Sequence, residues 1–433
     1  VDAQRLIEAV WRIERPRLVA SLTRLLRDVG RAEEVAQDAF VAALEQWPRD
    51  GVPDRPGAWL MAAARHRAID GLRRERARDE RYALLAEPAV EEAHAPEAID
   101  DDLLALVFVT CHPVLPRESR VALTLRLLGG LSTEEVARAF LVPSPTIGQR
   151  ISRAKRTLAE ARVPFEVPQE DELPGRLAAV LEVVYLVFNE GYSASSGEAW
   201  IRRDLAREAM RLGRVLAGLL PRAPEVHGLV ALMELQASRF GARTAPDGSP
   251  VPLPDQDRTR WDRTLITHGL AALDRAIALR RPLGPYTLQA AIAAHHARPR
   301  AFADTDWDAI VALYDALAQV APSPVVALNR AIAILHADGP EAALTALDAI
   351  AGDPRLARYH LLGATRAEVL RRLGRDAEAE AELRRAAALA PTARERDLLL
   401  SRACAAQPAS RSRTAPSSAS TSTDHVGDPS TAT

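Results

Sequence analysis

Lysine is almost absent from this chain: Lys155 is the only one among 56 basic residues. Such a preference for arginine, with abundant alanine, reflects a GC-rich coding composition rather than a function. Cysteine is nearly as scarce. Cys111 and Cys404 cannot build a disulfide framework, and no C-x-x-C pair is present to hold zinc, so a structural metal is not expected. Long apolar runs are missing as well. The longest, "LLALVFVTC" at 103–111, is half of the roughly 18 residues a membrane span needs. With no basic-then-apolar opening stretch either, a cytoplasmic protein without membrane association is expected. The motifs of chemistry are also absent: there is no G-x-S-x-G, no G-x-x-x-x-G-K and no convincing acid–base pair. Neither an enzymatic activity nor a cofactor is therefore expected.

What remains is an ordinary globular composition, 48% hydrophobic and 26% charged, on a chain long enough for two or three domains. Apolar spacings of three and four run through almost every segment, and strand-like alternation is scarce, so the fold class is all-α. Five parts are read: a helical module at 3–82, an acidic linker at 83–101, a second small module at 102–163, a large helical array at 170–403, and a Ser/Thr/Ala/Pro tail at 405–433. The tail lacks the apolar content to offset its ordering entropy.

The formal net charge of -2 hides strong segregation. Arg65, Arg67, Arg73, Arg74, Arg76, Arg78 and Arg81 crowd one stretch, and seven acids without a base follow at 87–102. A second basic cluster gathers Arg150, Arg153, Lys155 and Arg156. That cluster lies in "LSTEEVARAFLVPSPTIGQRISRAKRTL", where Ser132 and Glu135 form a capping box that opens a short helix ending near Phe140. After the break at Val142-Pro143, Ser144 is expected to cap a second helix with Pro145 in its first turn. Ile147, Ile151, Ala154 and Leu158 then share one face, which turns Thr146, Gln149, Arg153 and Arg156 outward with Arg150 on the flank. A short helix, a tight turn and a second helix with an Arg- and Gln-bearing outer face suit a helix-turn-helix in the major groove. A solvated face on a structural helix pair fits the same spacing.

In the first module, "AEEVAQDAF" turns Val35, Ala39 and Phe40 inward and Glu33, Glu34, Gln37 and Asp38 mostly outward. The segment "AWLMAAARHRAIDGLRR" places Trp59 and Leu60 inside and Arg65, His66, Arg73 and Arg74 outside, a basic helix suited to phosphates and to stacking on an exposed base.

These three motifs, in this order, resemble the two conserved regions of the extracytoplasmic-function (ECF) sigma factors, the small sigma-70-like promoter-recognition subunits of bacterial RNA polymerase; the likeness covers residues 5–162. The resemblance implies that Glu33, Glu34, Gln37 and Asp38 meet the clamp helices of the polymerase large subunit. It implies that Trp59, Arg65, His66, Asp70, Arg73 and Arg74 open and read the -10 element, and that Thr146, Gln149, Arg150, Arg153 and Arg156 read the -35 element. His66 stands where many members carry asparagine.

The C-terminal part carries a 34-residue pattern at 360–393, with Ala367, Leu370, Gly374, Ala379, Leu383, Ala386 and Pro391 at tetratricopeptide spacing. A second copy lies at 324–357 and a weaker one ends at Pro322. Stacked repeats build a groove for a protein or signal partner. With the preceding stretches, these repeats resemble the ECF subgroup that bears a tetratricopeptide-like extension and neighbours small DGPF (YCII-related) proteins. Two features inside the extension are read as docking or regulatory candidates: Asn189, Glu190 and Tyr192, next to a Gly191 expected to end a helix in a left-handed cap, and Asp255, Asp257, Arg258 and Trp261. For the second, an internal ion-pair network fixing a loop fits equally. His295-His296 point apart on one helix and are read as structural, as is Cys111. Two functions compete at this stage: a sigma factor that needs core polymerase, and a core-independent helix-turn-helix regulator with a sensing array.

Overall fold

The computed structural model describes residues 3–79, 96–140, 142–192, 203–246, 251–390 and 393–405, and the regular elements among these residues are helices. The tail after 405, most of the acidic linker, Pro391 and the serines of the 193–196 turn lie outside the described residues.

The first module is three helices, α1 (Ala3–Leu26), α2 (Val29–Asp50) and α3 (Pro56–Asp79). Asp28 starts α2 by accepting the backbone N–H of Arg31 at 2.9 Å, and Gly51, at φ +87°, ends it with its N–H on the Trp47 carbonyl. Alanines 32, 36, 39 and 43 line the inner stripe of α2 and let α1 approach closely.

The second module is α4 (Pro96–Thr110), α5 (Arg117–Leu127), α6 (Thr133–Phe140) and α7 (Ser144–Glu160). Residues 96–101, at the end of the expected linker, form the first turn and more of α4. The long apolar run finds its explanation here. Leu103 to Val109 are all buried because α4 is surrounded by α1, α5, and two helices of the extension, α8 (Leu173–Tyr192) and α9 (Arg203–Leu219). A helix that is apolar all round belongs in such a place.

The extension continues with α10 (Pro224–Ala237), α11 (Arg263–Ala278), α12 (Pro285–Ala297), α13 (Trp307–Val320), α14 (Pro324–Ala337) and α15 (Pro340–Ile350). Proline opens α10, α12, α14 and α15, where its missing N–H has no intrahelical partner to lose. Glu225 of α10 caps α12, accepting the N–H groups of Tyr286 and Thr287 at 2.8 and 3.1 Å. Gly228 has no room for a Cβ, which would meet the Thr287 side chain at 2.3 Å. One hydrophobic core runs from Ile7 through both modules to Ala237.

The chain divides into two compact units at Ala357/Arg358. The second contains α16 (His360–Arg372), α17 (Asp376–Leu389) and α18 (Ala393–Ala405). The repeat expected at 360–393 supplies α16 and α17, with Gly374 at φ +71° in their turn and Ala367, Leu370, Ala379, Leu383 and Ala386 buried between them. The earlier copy supplies α14 and α15, with Gly339 at φ +95° in the corresponding turn.

Candidate nucleic-acid interface

The helix-turn-helix is built as its sequence requires. The Ser132 N–H reaches Glu135 Oε2 at 2.7 Å while the Glu135 N–H reaches Ser132 Oγ at 3.1 Å, a reciprocal capping box at the start of α6. The start of α7 differs from expectation: Pro143 occupies the N-cap, no side chain caps it, and Ser144 and Pro145 both lie inside the first turn. Pro143 sets the entry angle through its own fixed φ of -59°.

Ile147, Ile151, Ala154 and Leu158 are buried on one stripe of α7. Gln149, Arg153 and Arg156 are exposed on the other side, and Thr146 is half-buried in the first turn. Arg156 meets Glu160 only at 3.7 Å across solvent, a pairing worth little that a phosphate can displace. Arg150 lies apart from these three. It lines a crevice of about 190 Å³ with Arg117 and Glu118 of α5, Phe140 of α6, and Leu186 and Glu190 of α8.

On α3, His66, Arg73 and Arg74 are exposed, Arg65 and Asp70 half-buried, and Leu60, Ala64 and Ala68 face the core. His66 Nε2 approaches Asp70 Oδ2 at 3.2 Å, one turn away on the same face. Trp59 is half-buried and set edge-on to Trp47 with ring centroids 5.4 Å apart.

The acidic helix face separates into two parts. Glu34, Gln37 and Asp38 are exposed on α2, as expected. Glu33 is not: it is 5% exposed, and its expected outward position is corrected. The 3.6-residue period sets it on the stripe of Val29, Ala32 and Ala36, turned into the molecule. There Arg15 of α1 and Lys155 of α7 each approach its carboxylate at 2.5 Å, and Arg126 of α5 approaches it at 2.7 Å. Burial by itself raises the Glu33 pKa, but Lys155, Arg126 and Arg15 together hold it below the usual carboxylate range. Arg15 is pulled down to about 10 by burial and by the like charge of Arg126, and stays charged near neutrality. Two further ties join the modules: Arg24 of α1 with the buried Asp102 of α4, and Arg12 of α1 with Glu135 of α6 at 3.7 Å. Sequence reading assigned Lys155 to the basic cluster and missed all of these partners. A lone lysine in an arginine-rich chain was the signal available.

In the extension, the partners of Asn189 and Tyr192 belong to the extension itself. Asn189 hydrogen-bonds Tyr185 of the same helix, and Tyr192 stacks on Phe188 and lies under Arg243, whose guanidinium carbon is 3.6 Å from the ring centroid. Arg243 also donates to the Tyr192 carbonyl at 2.6 Å. Glu190 is one residue on, about 100° around the helix, and faces the α5–α7 crevice. Gly191 does not end α8 in a left-handed cap; it is a buried helical residue. Of the other docking candidates, Arg258 and Trp261 turn inward and Asp255 and Asp257 are exposed. Arg258 is buried and donates to the carbonyls of His296 and Pro299 at 2.7 and 2.9 Å, and Trp261 is buried between the guanidinium groups of Arg239 and Arg258. Asp257 caps a short 3-10 turn, and Asp255 is exposed beside it. Carbonyl bonding and cation–π stacking, rather than an ion-pair network, fix this loop.

Among the described residues no group of three His, Cys, Asp or Glu side chains is placed to hold a metal ion, and no helix is long and apolar enough to cross a membrane.

Comparison with known proteins matches this architecture. Residues 10–78 match sigma-70 region 2, residues 106–158 match sigma-70 region 4, and residues 176–277 match a family of unknown function, DUF6596. The ECF RNA polymerase sigma factor SigK of Mycobacterium ulcerans (strain Agy99) is 32% identical over 149 residues, 33% of this chain and 78% of that one. SigC of Mycobacterium tuberculosis (strain CDC 1551 / Oshkosh), also an ECF sigma factor, is 33% identical over 140 residues, 31% of this chain and 71% of that one. The chain belongs to the ECF RNA polymerase sigma factors. An uncharacterized protein of Rhizobium meliloti (strain 1021) is 45% identical over 389 residues, 88% of this chain and 91% of its own. The sigma factor's first module is thus region 2 and its second, with the helix-turn-helix, region 4. Its partners as a sigma factor are core polymerase and promoter DNA.

Proposed function

We propose that this sigma factor reads a two-part promoter with α3 and the outer face of α7, and that the helical extension modulates when it does so. The observation that carries the reading is the exposed, unburdened face of Gln149, Arg153 and Arg156 on a helix-turn-helix, behind a basic α3 bearing His66, Arg73 and Arg74. Gln149 and the arginines of α7 supply bidentate contacts to adenine and guanine edges at the -35 element, with Thr146 on a phosphate and Arg150 at the flank. Trp59, Arg65, His66, Asp70, Arg73 and Arg74 serve the -10 element, where strand separation leaves a base to be stacked. Glu34, Gln37 and Asp38 meet the clamp helices of the polymerase large subunit.

Modulation follows from distance. Elements named for positions about 25 base pairs apart lie roughly 85 Å apart at about 3.4 Å per pair. Region 2 and region 4 are here joined through Glu33 and Lys155 at 2.5 Å. Both readers cannot occupy such a promoter until that contact opens, so the arrangement is a closed one that withholds the sigma factor. The extension supports closure from the region 4 side. Glu182 of α8 meets Arg117 and Arg120 of α5 at 3.1 and 3.7 Å, and Arg211 of α9 donates to the Leu128 carbonyl at 2.6 Å. The Rhizobium relative, aligned over 389 residues, carries the same extension, which supports assignment to the subgroup with a tetratricopeptide-like C-terminal part. In that reading the repeats receive a protein or signal partner, and five parts organise the chain: region 2 at 3–82, a linker at 83–101, region 4 at 102–163, the extension at 170–403 and the tail.

Run-off transcription with core polymerase tests the proposal. The full chain is expected to form a complex with core and initiate at a promoter whose -35 and -10 elements it protects. Failure to bind core, or footprinting of duplex DNA without core, would refute it.

A further inference from the structure

A cavity of about 310 Å³ lies where region 2, region 4 and the extension meet. Val107 of α4, Leu128 after α5, Val184 of α8 and Leu216 of α9 give it apolar walls, and Ile13 and Pro16 of α1 close the side toward region 2. Its size is at the lower end of small-molecule sites. The wall offers little to a polar ligand: the Cys111 thiol and the Thr124 hydroxyl, its uncharged polar groups, are bonded to each other at 3.4 Å. Its charged lining residues are Arg12, Arg17 and Arg211, of which Arg211 is paired with Glu208 of its own helix at 2.6 Å and Arg12 lies 3.7 Å from Glu135.

We propose that this cavity binds an aliphatic carboxylate of medium chain length, its carboxylate at Arg12 and Arg17 and its chain along the valines and leucines. Apolar walls without donors or acceptors exclude sugars, nucleotides and peptides, whose polar groups would be buried unpaired. A guanidinium group at the end of the same cavity makes the anion more favourable than a neutral chain, since its fork pairs with both carboxylate oxygens. Arg12 is suited to this, because its pairing with Glu135 is long at 3.7 Å and its side chain is 64% exposed.

Because α1, α4, α8 and α9 all contribute to the wall, the cavity exists only while the three parts are together. Resting on the closed-state reading above, the ligand therefore acts as a corepressor of this sigma factor. At a concentration a hundredfold above its Kd it would favour the closed arrangement about a hundredfold.

Calorimetric titration of the full chain with sodium octanoate tests the site, and 1-octanol tests the anion requirement. Saturable one-to-one binding of octanoate is expected, with octanol and the double variant Arg12→Gln, Arg17→Gln each at least tenfold weaker. No saturable octanoate binding, octanol binding as tight as octanoate, or wild-type affinity in the double variant would each overturn the proposal. Leu216→Trp, which fills the cavity, is expected to abolish binding; unchanged binding by a folded Leu216→Trp protein would place the ligand elsewhere. Octanoate is then expected to weaken association of the wild-type chain with core polymerase and to leave that of the double variant unchanged. Binding without any effect on core association would overturn the corepressor role. A ligand-free chain that never binds core would instead refute the sigma-factor mechanism of the previous section, with the calorimetric result standing on its own.

Discussion

Glu33 of region 2 accepts the ammonium group of Lys155 of region 4 at 2.5 Å, with both side chains largely withdrawn from solvent. The pair joins the helix expected to face polymerase to the helix expected to face DNA. A carboxylate surrounded by Lys155, Arg126 and Arg15 is stable as a group, but none of its members tolerates loss of the others.

Glu33→Gln is therefore expected to leave three cations facing a neutral amide and to cost about 3–5 kcal/mol. Thermal melting would show the loss, and small-angle scattering would show region 4 moving away from region 2. The pH dependence has a definite sign. The Glu33 pKa is lowered in the folded chain, so its contribution is complete above the ordinary carboxylate range and disappears as pH falls through the depressed value. Closure should consequently not vary between pH 6 and 8 on account of Glu33. By contrast, Glu34→Lys with Asp38→Lys, both on exposed positions, should leave melting within about 0.5 kcal/mol and reduce binding to core.

Arg153→Ala and Gln149→Ala address the face of α7 proposed to read DNA. Both side chains are exposed and outside the buried stripe, so stability should change by less than about 0.5 kcal/mol. Each should cost about 1–3 kcal/mol in holoenzyme binding to its promoter and relax the preference at one base pair, measured by competition with single-base variants of the -35 element.

The two faces of α8 should separate in the same way. Tyr192 stacks on Phe188 and carries Arg243 over its ring at 3.6 Å, so Tyr192→Ala is expected to destabilise the extension by about 2–4 kcal/mol. Glu190→Ala faces the crevice shared with Arg150 and should cost less in melting than Tyr192→Ala. Its effect should be on transcription, through the contact between extension and region 4.

How far the sequence discloses this molecule depends on whether a local rule decides the residue. The capping box of Ser132 and Glu135, the buried stripe of α7 and the glycine turns at 339 and 374 follow from spacing alone, because helices of this period have one solution for such patterns. The exposure of Gln149, Arg153 and Arg156 was legible for the same reason. Glu33 was not, since two adjacent acids read as one solvated face unless the partners that compensate burial are known, and Arg15, Arg126 and Lys155 come from three different helices. Asn189 and Tyr192 share that fate. A polar residue and a tyrosine beside a glycine look like a joint, but Gly191 continues the helix and turns them toward α10 and its neighbours. Of Asn189, Glu190 and Tyr192, Glu190 is the one that lines the crevice with α5 and α7.

His296 gives the extension its own pH response. Its ring lies edge-on to Trp307 with centroids 5.3 Å apart, its Nδ1 is buried without a hydrogen-bond partner, and Trp307 in turn stacks on His336 at 4.3 Å. Burial, with Arg239, Arg258, His295 and His336 adding repulsion, pushes its pKa down to about 3. A folded value below the unfolded one means that stability is complete above about pH 6.5 and falls as the unfolded chain takes up the proton first. The loss should reach roughly 2 kcal/mol by pH 5, at about 1.4 kcal/mol per pH unit. His296→Phe retains a ring against Trp307 and removes the titration. In melting curves between pH 7 and 5, the variant is expected to lose distinctly less than the wild-type protein; an identical pH slope would assign the acid sensitivity to other groups.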